Sequence, residues 1–261
     1  MFLGGNMANG FVVKGGVQTA GQAPNTRTEF GAGQGRITTI AVTDPKRRIL
    51  EKVFDAQAER LLDLGYAVAI GMADDDFSAQ LAALKAAIDP RLLERSRTGG
   101  EMMIVVPGAV VPLRDQMRLF RAGKRIGATG IDAAKIARAT PFAPEKLYLA
   151  FHFTTGEYYK SMTSEQCWKT VGKKDRRSPT AEEAIAFATH FSSFFGPTDK
   201  IELPADLYNG GHLVLMGGAG GAERNRVVLA WTPSRPNEYR DWHTASIGAR
   251  VFSGAPRAAD E

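Results

Sequence analysis

Gly211-His212-Leu213-Val214-Leu215-Met216-Gly217-Gly218-Ala219-Gly220-Gly221, followed after Ala222–Asn225 by Arg226-Val227-Val228-Leu229-Ala230-Trp231, is the stretch on which the fold turns. His212–Met216 and Arg226–Trp231 are short, apolar and β-prone, and the glycines between them mark a flexible hairpin loop. Gly217–Gly221 lacks the Gly-Lys-Ser/Thr ending with which a P-loop grips phosphate, so the loop reading stands alone. A third strand-like segment, His243–Phe252, completes a largely antiparallel C-terminal sheet.

Moving toward the N-terminus, Leu147–Phe153 and Glu157–Met162 flank Thr154-Thr155-Gly156, a hairpin signal, and Met102–Val106 reads as a buried strand. Helices dominate earlier. Asp44-Pro45 pairs a capping residue with a proline whose missing N–H costs nothing at the first helical position. Ile49, Val53, Leu61 and Leu64 form a stripe that stops at Gly65. Asp74, Asp75 and Asp76 suit the positive end of a second helix, whose Phe77, Leu81, Leu84 and Ile88 keep helical spacing. A third helix is expected over Pro112–Ala122, ending at Gly123. Thr163-Ser164-Glu165-Gln166 and Thr180-Ala181-Glu182-Glu183 both fit the capping box, the second helix running through Ile185, Ala188, Phe191 and Phe195. Helices first and strands later, without β-α-β alternation, give an α+β fold in a single domain.

Residues 1–36 are unlike the rest. They hold nine glycines and three asparagines, with apolar residues only in small knots such as Phe11-Val12-Val13. No periodic pattern there buries a face, which predicts an extended or disordered arm. The domain spans residues 37–252, opening at the β-prone Arg36–Thr43, and residues 253–261 form a disordered tail. Hydrophobic residues at 44% and charged residues at 23% fit a globular body. The net charge of +5, with a pI near 9.3, is local: residues 1–52 carry seven bases against three acids, and residues 99–138 repeat that ratio. No secretory leader is evident in Met1–Asn6, and the apolar run Met102–Leu113 is broken by Pro107, Gly108 and Pro112. It is too short for the roughly 20 apolar residues of a membrane span. With a single cysteine, this predicts a cytoplasmic location.

Several chemistries lack their motifs. Cys167 has no partner for an internal disulfide or a multi-cysteine metal site, and reads as a buried, inert thiol beside Trp168. Gly31-Ala32-Gly33-Gln34-Gly35-Arg36 misses the dinucleotide fingerprint at its sixth position. Neither His-Glu-x-x-His nor Gly-x-Ser-x-Gly occurs. His152, His190, His212 and His243 are too dispersed for a short metal motif. His190 and Glu183 share a helical face, a spacing able to orient an acid–base pair, although the capping box already accounts for Glu183. Neither cofactor nor metal is expected.

Positive charge is the clearest signal. Arg114, Arg118 and Arg121 form one stripe at helical spacing beside an apolar stripe of Leu113, Met117 and Phe120, and Lys124 and Arg125 extend it. A second group, Lys173, Lys174, Arg176 and Arg177, sits between two expected helices. Both could contact phosphates, with strong salt dependence, though aromatic interleaving is missing.

Leu147-Tyr148-Leu149, then a glycine after a short turn, and Arg177-Ser178-Pro179-Thr180-x-x-Glu183-x-Ile185-Ala186 carry a resemblance. With Arg226, Ala230-Trp231 and His243-Thr244, they resemble a family of uncharacterised bacterial, largely actinobacterial proteins known only as a domain of unknown function. Phe54–Gly65 and Val111–Gly127 resemble its earlier helices, so the similarity spans about residues 50–252. Gly211-His212-Leu213 stands where the family tends to carry Asn-His-Cys-Phe, and Ala245 replaces its usual tryptophan. The resemblance implies one α+β unit and assigns no catalytic role.

These readings favour a non-enzymatic assembly or partner-binding protein whose arm, through Phe11, Val12, Val13 and Phe30, orders on another subunit of a homo- or hetero-oligomer. The alternative is a nucleic-acid or anion-binding accessory protein using the basic helix face, and a third reading is an enzyme whose site assembles from residues distant in sequence. No membrane partner is expected.

Overall fold

Pro45 does open a helix, α1 (Pro45–Asp63), but its buried stripe is not the one its aliphatic residues suggest. Leu50, Phe54, Gln57 and Leu61 are buried, whereas Ile49 is 62% exposed and Val53 half-buried. Gln57 explains the shift. Its side chain donates to the Met102 carbonyl and accepts from the Ile104 amide, both at 2.8 Å, taking the place of a neighbouring strand along the edge of β1 (Met102–Val105). A polar residue thus lies in the core-facing register, where a count of apolar spacings does not place it. Gly65, at φ +79°, closes the turn into α2 (Tyr66–Ala69), and α3 (Asp74–Ala86) follows with its three aspartates in the first turn. Phe77, Leu81, Leu84 and Ile88 are buried, as their spacing requires.

In this computed structural model the described residues are 45–88, 102–138, 144–153, 162–172, 176–192, 200–218 and 225–233, with 243–244, 247–248 and 251–252. Thr43–Glu261 form one compact unit. β1 pairs antiparallel with β5 (Tyr148–Phe151), which also pairs antiparallel with β12 (Val251–Phe252). Alternation along β1 and β5 divides two cores. Met102, Ile104, Leu149 and Phe151 pack with the N-terminal helices, while Met103, Val105, Tyr148 and Ala150 face a second core. The expected hairpin from Leu147 to Met162 has its turn and second strand outside the described residues.

The helix expected over Pro112–Ala122 is shorter. α4 (Leu113–Leu119) ends at Phe120, whose extended backbone sends Arg121–Ala122 (β2) into a hairpin with β3 (Arg125–Thr129) at Gly123, φ +62°. Burial of Phe120 overrides the helical pattern of its neighbours. β3 crosses α4 so closely that a Cβ on Gly127 would lie 2.0 Å from the Met117 carbonyl oxygen.

The large sheet is mixed, with antiparallel pairing at its centre. β7 (Lys200–Tyr208), β8 (Gly211–Gly217) and β9 (Arg226–Pro233) run consecutively antiparallel, with Leu215 opposite Leu229. β3 joins β9 in parallel, β10 (His243–Thr244) joins β7 in parallel, and β4 (Ala137–Arg138) pairs with β7 antiparallel. His243–Phe252 is therefore not one strand. Its three dipeptides pair with β7, with β6 (Arg176–Arg177) through β11 (Ile247–Gly248), and with β5. α5 (Ser164–Gly172) starts with the reciprocal Thr163–Gln166 cap and buries Cys167. α6 (Ala181–His190) is buried along all but its last residue, between β1 and the inner faces of Leu213, Leu215 and Leu229. A helix apolar on nearly every side belongs in such a place. No helix among the described residues is long and apolar enough to cross a membrane.

Candidate functional site

The N-terminus of α6 gathers the charge. Thr180 Oγ1 accepts from the Glu183 amide, and Glu183 Oε2 accepts from the Thr180 amide at 2.9 Å, closing the capping box. Glu183 does more than cap. Its carboxylate also takes both terminal nitrogens of Arg177, one of them at 2.6 Å, and the Tyr148 hydroxyl at 3.0 Å. Burial, and then the Glu183 charge, raise Tyr148 well above the ordinary tyrosine value, so it remains a protonated donor.

Asp206 reaches the same helix end from β7 and accepts from the Ala181 amide at 2.8 Å. Burial lifts its carboxyl to about 6, against the opposing pull of Arg138 and that amide. Arg138, directly opposite Asp206 in the β4–β7 pairing, donates to Glu182 Oε1. Free amides and an aligned helix dipole would otherwise make this end an anion site, but the chain's own carboxylates occupy it.

Glu182 differs from its neighbour. Only 4% of it is exposed, and its Oε2 has no hydrogen-bond partner among the described residues. With Arg138, Tyr148 and Thr180 it lines a cavity of about 410 Å³, otherwise walled chiefly by Pro107, Gly108, Ala109, Pro112, Leu113 and Pro144. A Cβ on Gly108 would lie 2.8 Å from Glu182 Oε1, so glycine leaves room for the carboxylate. The size and the apolar wall with a few converging polar groups suit a small molecule.

The model of a family of unknown function, DUF5701, matches residues 60–199, more than half of the chain. The chain belongs to DUF5701. Gly108, Arg138, Tyr148, Arg177, Thr180, Glu182 and Glu183 lie within the matched segment of this DUF5701 chain, and Asp206 lies outside it. No curated protein and no solved structure matches.

The basic residues singled out in the sequence of this DUF5701 member are dispersed. Arg114 and Arg118 are exposed on α4, Arg118 pairing with Asp115 at 3.1 Å. Arg121 is not on the helix. It donates to the Arg118 and Phe120 carbonyls at 2.7 Å, neutralising the carbonyl end of α4, and Arg60 donates to the Arg121 carbonyl. Lys124 is exposed in the hairpin turn, and Arg125 is half-buried on β3. Arg177 is no surface cation: it is buried against Glu183, because a carboxylate at the third position of α6 needs a partner in the core. Arg176 donates to the His152 carbonyl. Lys173 and Lys174 lie outside the described residues, as do Phe11, Val12, Val13 and Phe30.

His190 and Glu183 do not form a pair. The Nε2 of His190 meets the Ile104 carbonyl at 3.0 Å, and burial pushes the ring down to about 4, which leaves it neutral. Among the described residues no group of three or more His, Cys, Asp or Glu is arranged to hold a metal, and the three aspartates of α3 are exposed. Glu182, Arg138, Tyr148, Asp206 and Gly108 went unrecognised in the sequence. One signal was available: a capping box needs an acid only at its third position, and Glu182 is an additional acid on a helix that is apolar from Ala184 to Ala188.

Proposed function

We propose that this protein binds a small, partly apolar molecule in the cavity at the N-terminus of α6, recognising it through a hydrogen-bond donor placed on Glu182. The observation that carries the reading is a buried carboxylate, Glu182, which lines a 410 Å³ cavity and whose Oε2 has no partner among the described residues. An unpaired buried acceptor costs roughly 1–3 kcal/mol, more when charged, and a ligand N–H or O–H recovers it. The prolines, Ala109 and Leu113 supply the apolar contact. Recognition is favoured over catalysis by the hydrogen bond from Arg138 that already engages Oε1 of Glu182. The arm-mediated assembly expected from residues 1–36 concerns residues outside those described and is kept as a separate proposal.

Thermal-shift screening of the full chain against small amines, alcohols, amides and carboxylates tests the reading. The stabilising compounds are expected to carry a donor, adding about 1.4 kcal/mol at ten times Kd. Their effect should vanish in Ala109→Trp, which fills the cavity from an exposed wall position. Stabilisation only by compounds without a donor, or persisting undiminished in Ala109→Trp, sinks the proposal.

A further inference from the structure

Resting on that reading, we infer that the ligand is a small organic cation, an ammonium or amidinium group on an apolar body. Three carboxylates, Glu182, Glu183 and Asp206, converge on the start of α6 against two guanidiniums, Arg138 and Arg177. Arg177 is committed to Glu183, and Arg138 to Glu182 Oε1 and the field of Asp206. Among the described residues one negative charge is left over, and Glu182 Oε2, which has no hydrogen-bond partner among them, belongs to a carboxylate whose side chain is 5% exposed.

Charge of this kind in a low-dielectric wall favours a cation over a neutral donor, because a charge-assisted hydrogen bond is about twice as strong as a neutral one. An anion is disfavoured twice. The Thr180 and Ala181 amides that would receive it already hold Glu183 and Asp206. Glu145, exposed at the cavity wall, adds like charge. The apolar lining, which includes Pro112, Leu113 and Pro144, rejects a bare inorganic ion and accepts a hydrocarbon body.

Calorimetric titration of the full chain with benzylammonium, benzyl alcohol and benzoate separates the possibilities. These probes share one ring and differ in the charge and donor capacity of the substituent. Benzylammonium is expected to bind about tenfold more tightly than benzyl alcohol, a difference of about 1.4 kcal/mol. Glu182→Gln should abolish that preference, since it removes the charge and presents either an amide donor or a neutral acceptor. Ala109→Trp serves as the second variant and should block both probes. Equal binding of the alcohol and the ammonium, both blocked by Ala109→Trp, overturns the cation and leaves the donor-binding reading intact. Tightest binding by benzoate, or no binding of any probe at about 10 mM, where such small ligands should register, overturns both.

Discussion

Glu182 and Glu183 are adjacent in sequence and opposite in physical circumstance. Glu183 has no exposed surface and is surrounded by donors from Arg177, Tyr148 and Thr180, so removing it strands a buried guanidinium. Glu183→Ala is therefore expected to lower stability by about 3–5 kcal/mol in urea unfolding, the usual cost of breaking one side of a buried pair. Glu182→Gln retains an acceptor for Arg138 and removes an unsatisfied charged oxygen, so its effect should stay within about 1 kcal/mol. Equal losses in the two variants would show that the two carboxylates share one structural role. The capping box was legible in four residues because its geometry is local. The fate of Glu182 was not, because Arg138 lies 44 residues away and Gly108 comes from a third segment.

At the level of elements, the helices and strands most legible in sequence were those whose apolar spacing matched their burial. α3 is such a case: its aspartates, its stripe and its extent agree. α1 kept its start and its stop at Gly65, but Gln57 moved its buried face by joining the edge of β1. Gln57→Leu should cost about 2–4 kcal/mol despite adding an apolar side chain, because it orphans the Met102 carbonyl and the Ile104 amide. An unchanged unfolding midpoint would mean that water serves those two groups equally well. β7 was not anticipated, although Asn209-Gly210, with φ of 49° and 75°, is a strong hairpin signal between it and β8. Its two apolar pieces are separated by Pro204, and the register shift between Leu203 and Leu207 accommodates that break. α4 failed in the other direction: the helical spacing continued past Phe120, while a buried Phe120 and the tight crossing at Gly127 ended the helix.

For the whole molecule, two buried groups link stability to pH with opposite signs. His190 has its pKa near 4 when folded and near 6.5 when unfolded, so its contribution is complete above about 6.5 and is lost as pH falls toward 4. Asp206 has its pKa near 6 when folded against 3.8 in the unfolded chain. The folded state takes that proton first, and the penalty of burying its charge at neutral pH is relieved as pH falls from about 6 to 3.8. The two windows overlap, so in the intact chain they largely cancel. Asp206→Asn should steepen the loss of stability between pH 6.5 and 4.5, and His190→Gln should flatten it, each by about 2 kcal/mol. Unfolding midpoints measured across that range check the signs. Parallel profiles for both variants and the wild type would contradict the assigned burial.

The sequence by itself determined the α+β class, the capped helix starts, the β8–β9 pairing and the buried state of Cys167. Each of these is set by residues close in the chain, through spacing, capping and turn geometry. Only the tertiary structure decided that His243–Phe252 divides among three sheets, that Arg177 turns inward, and that Arg138, Tyr148, Glu182 and Asp206 surround one helix end. Charge pairing and strand register across 40 or more residues depend on which surfaces the two cores bring together. No local pattern encodes that choice, because burial fixes which charges must find partners and where.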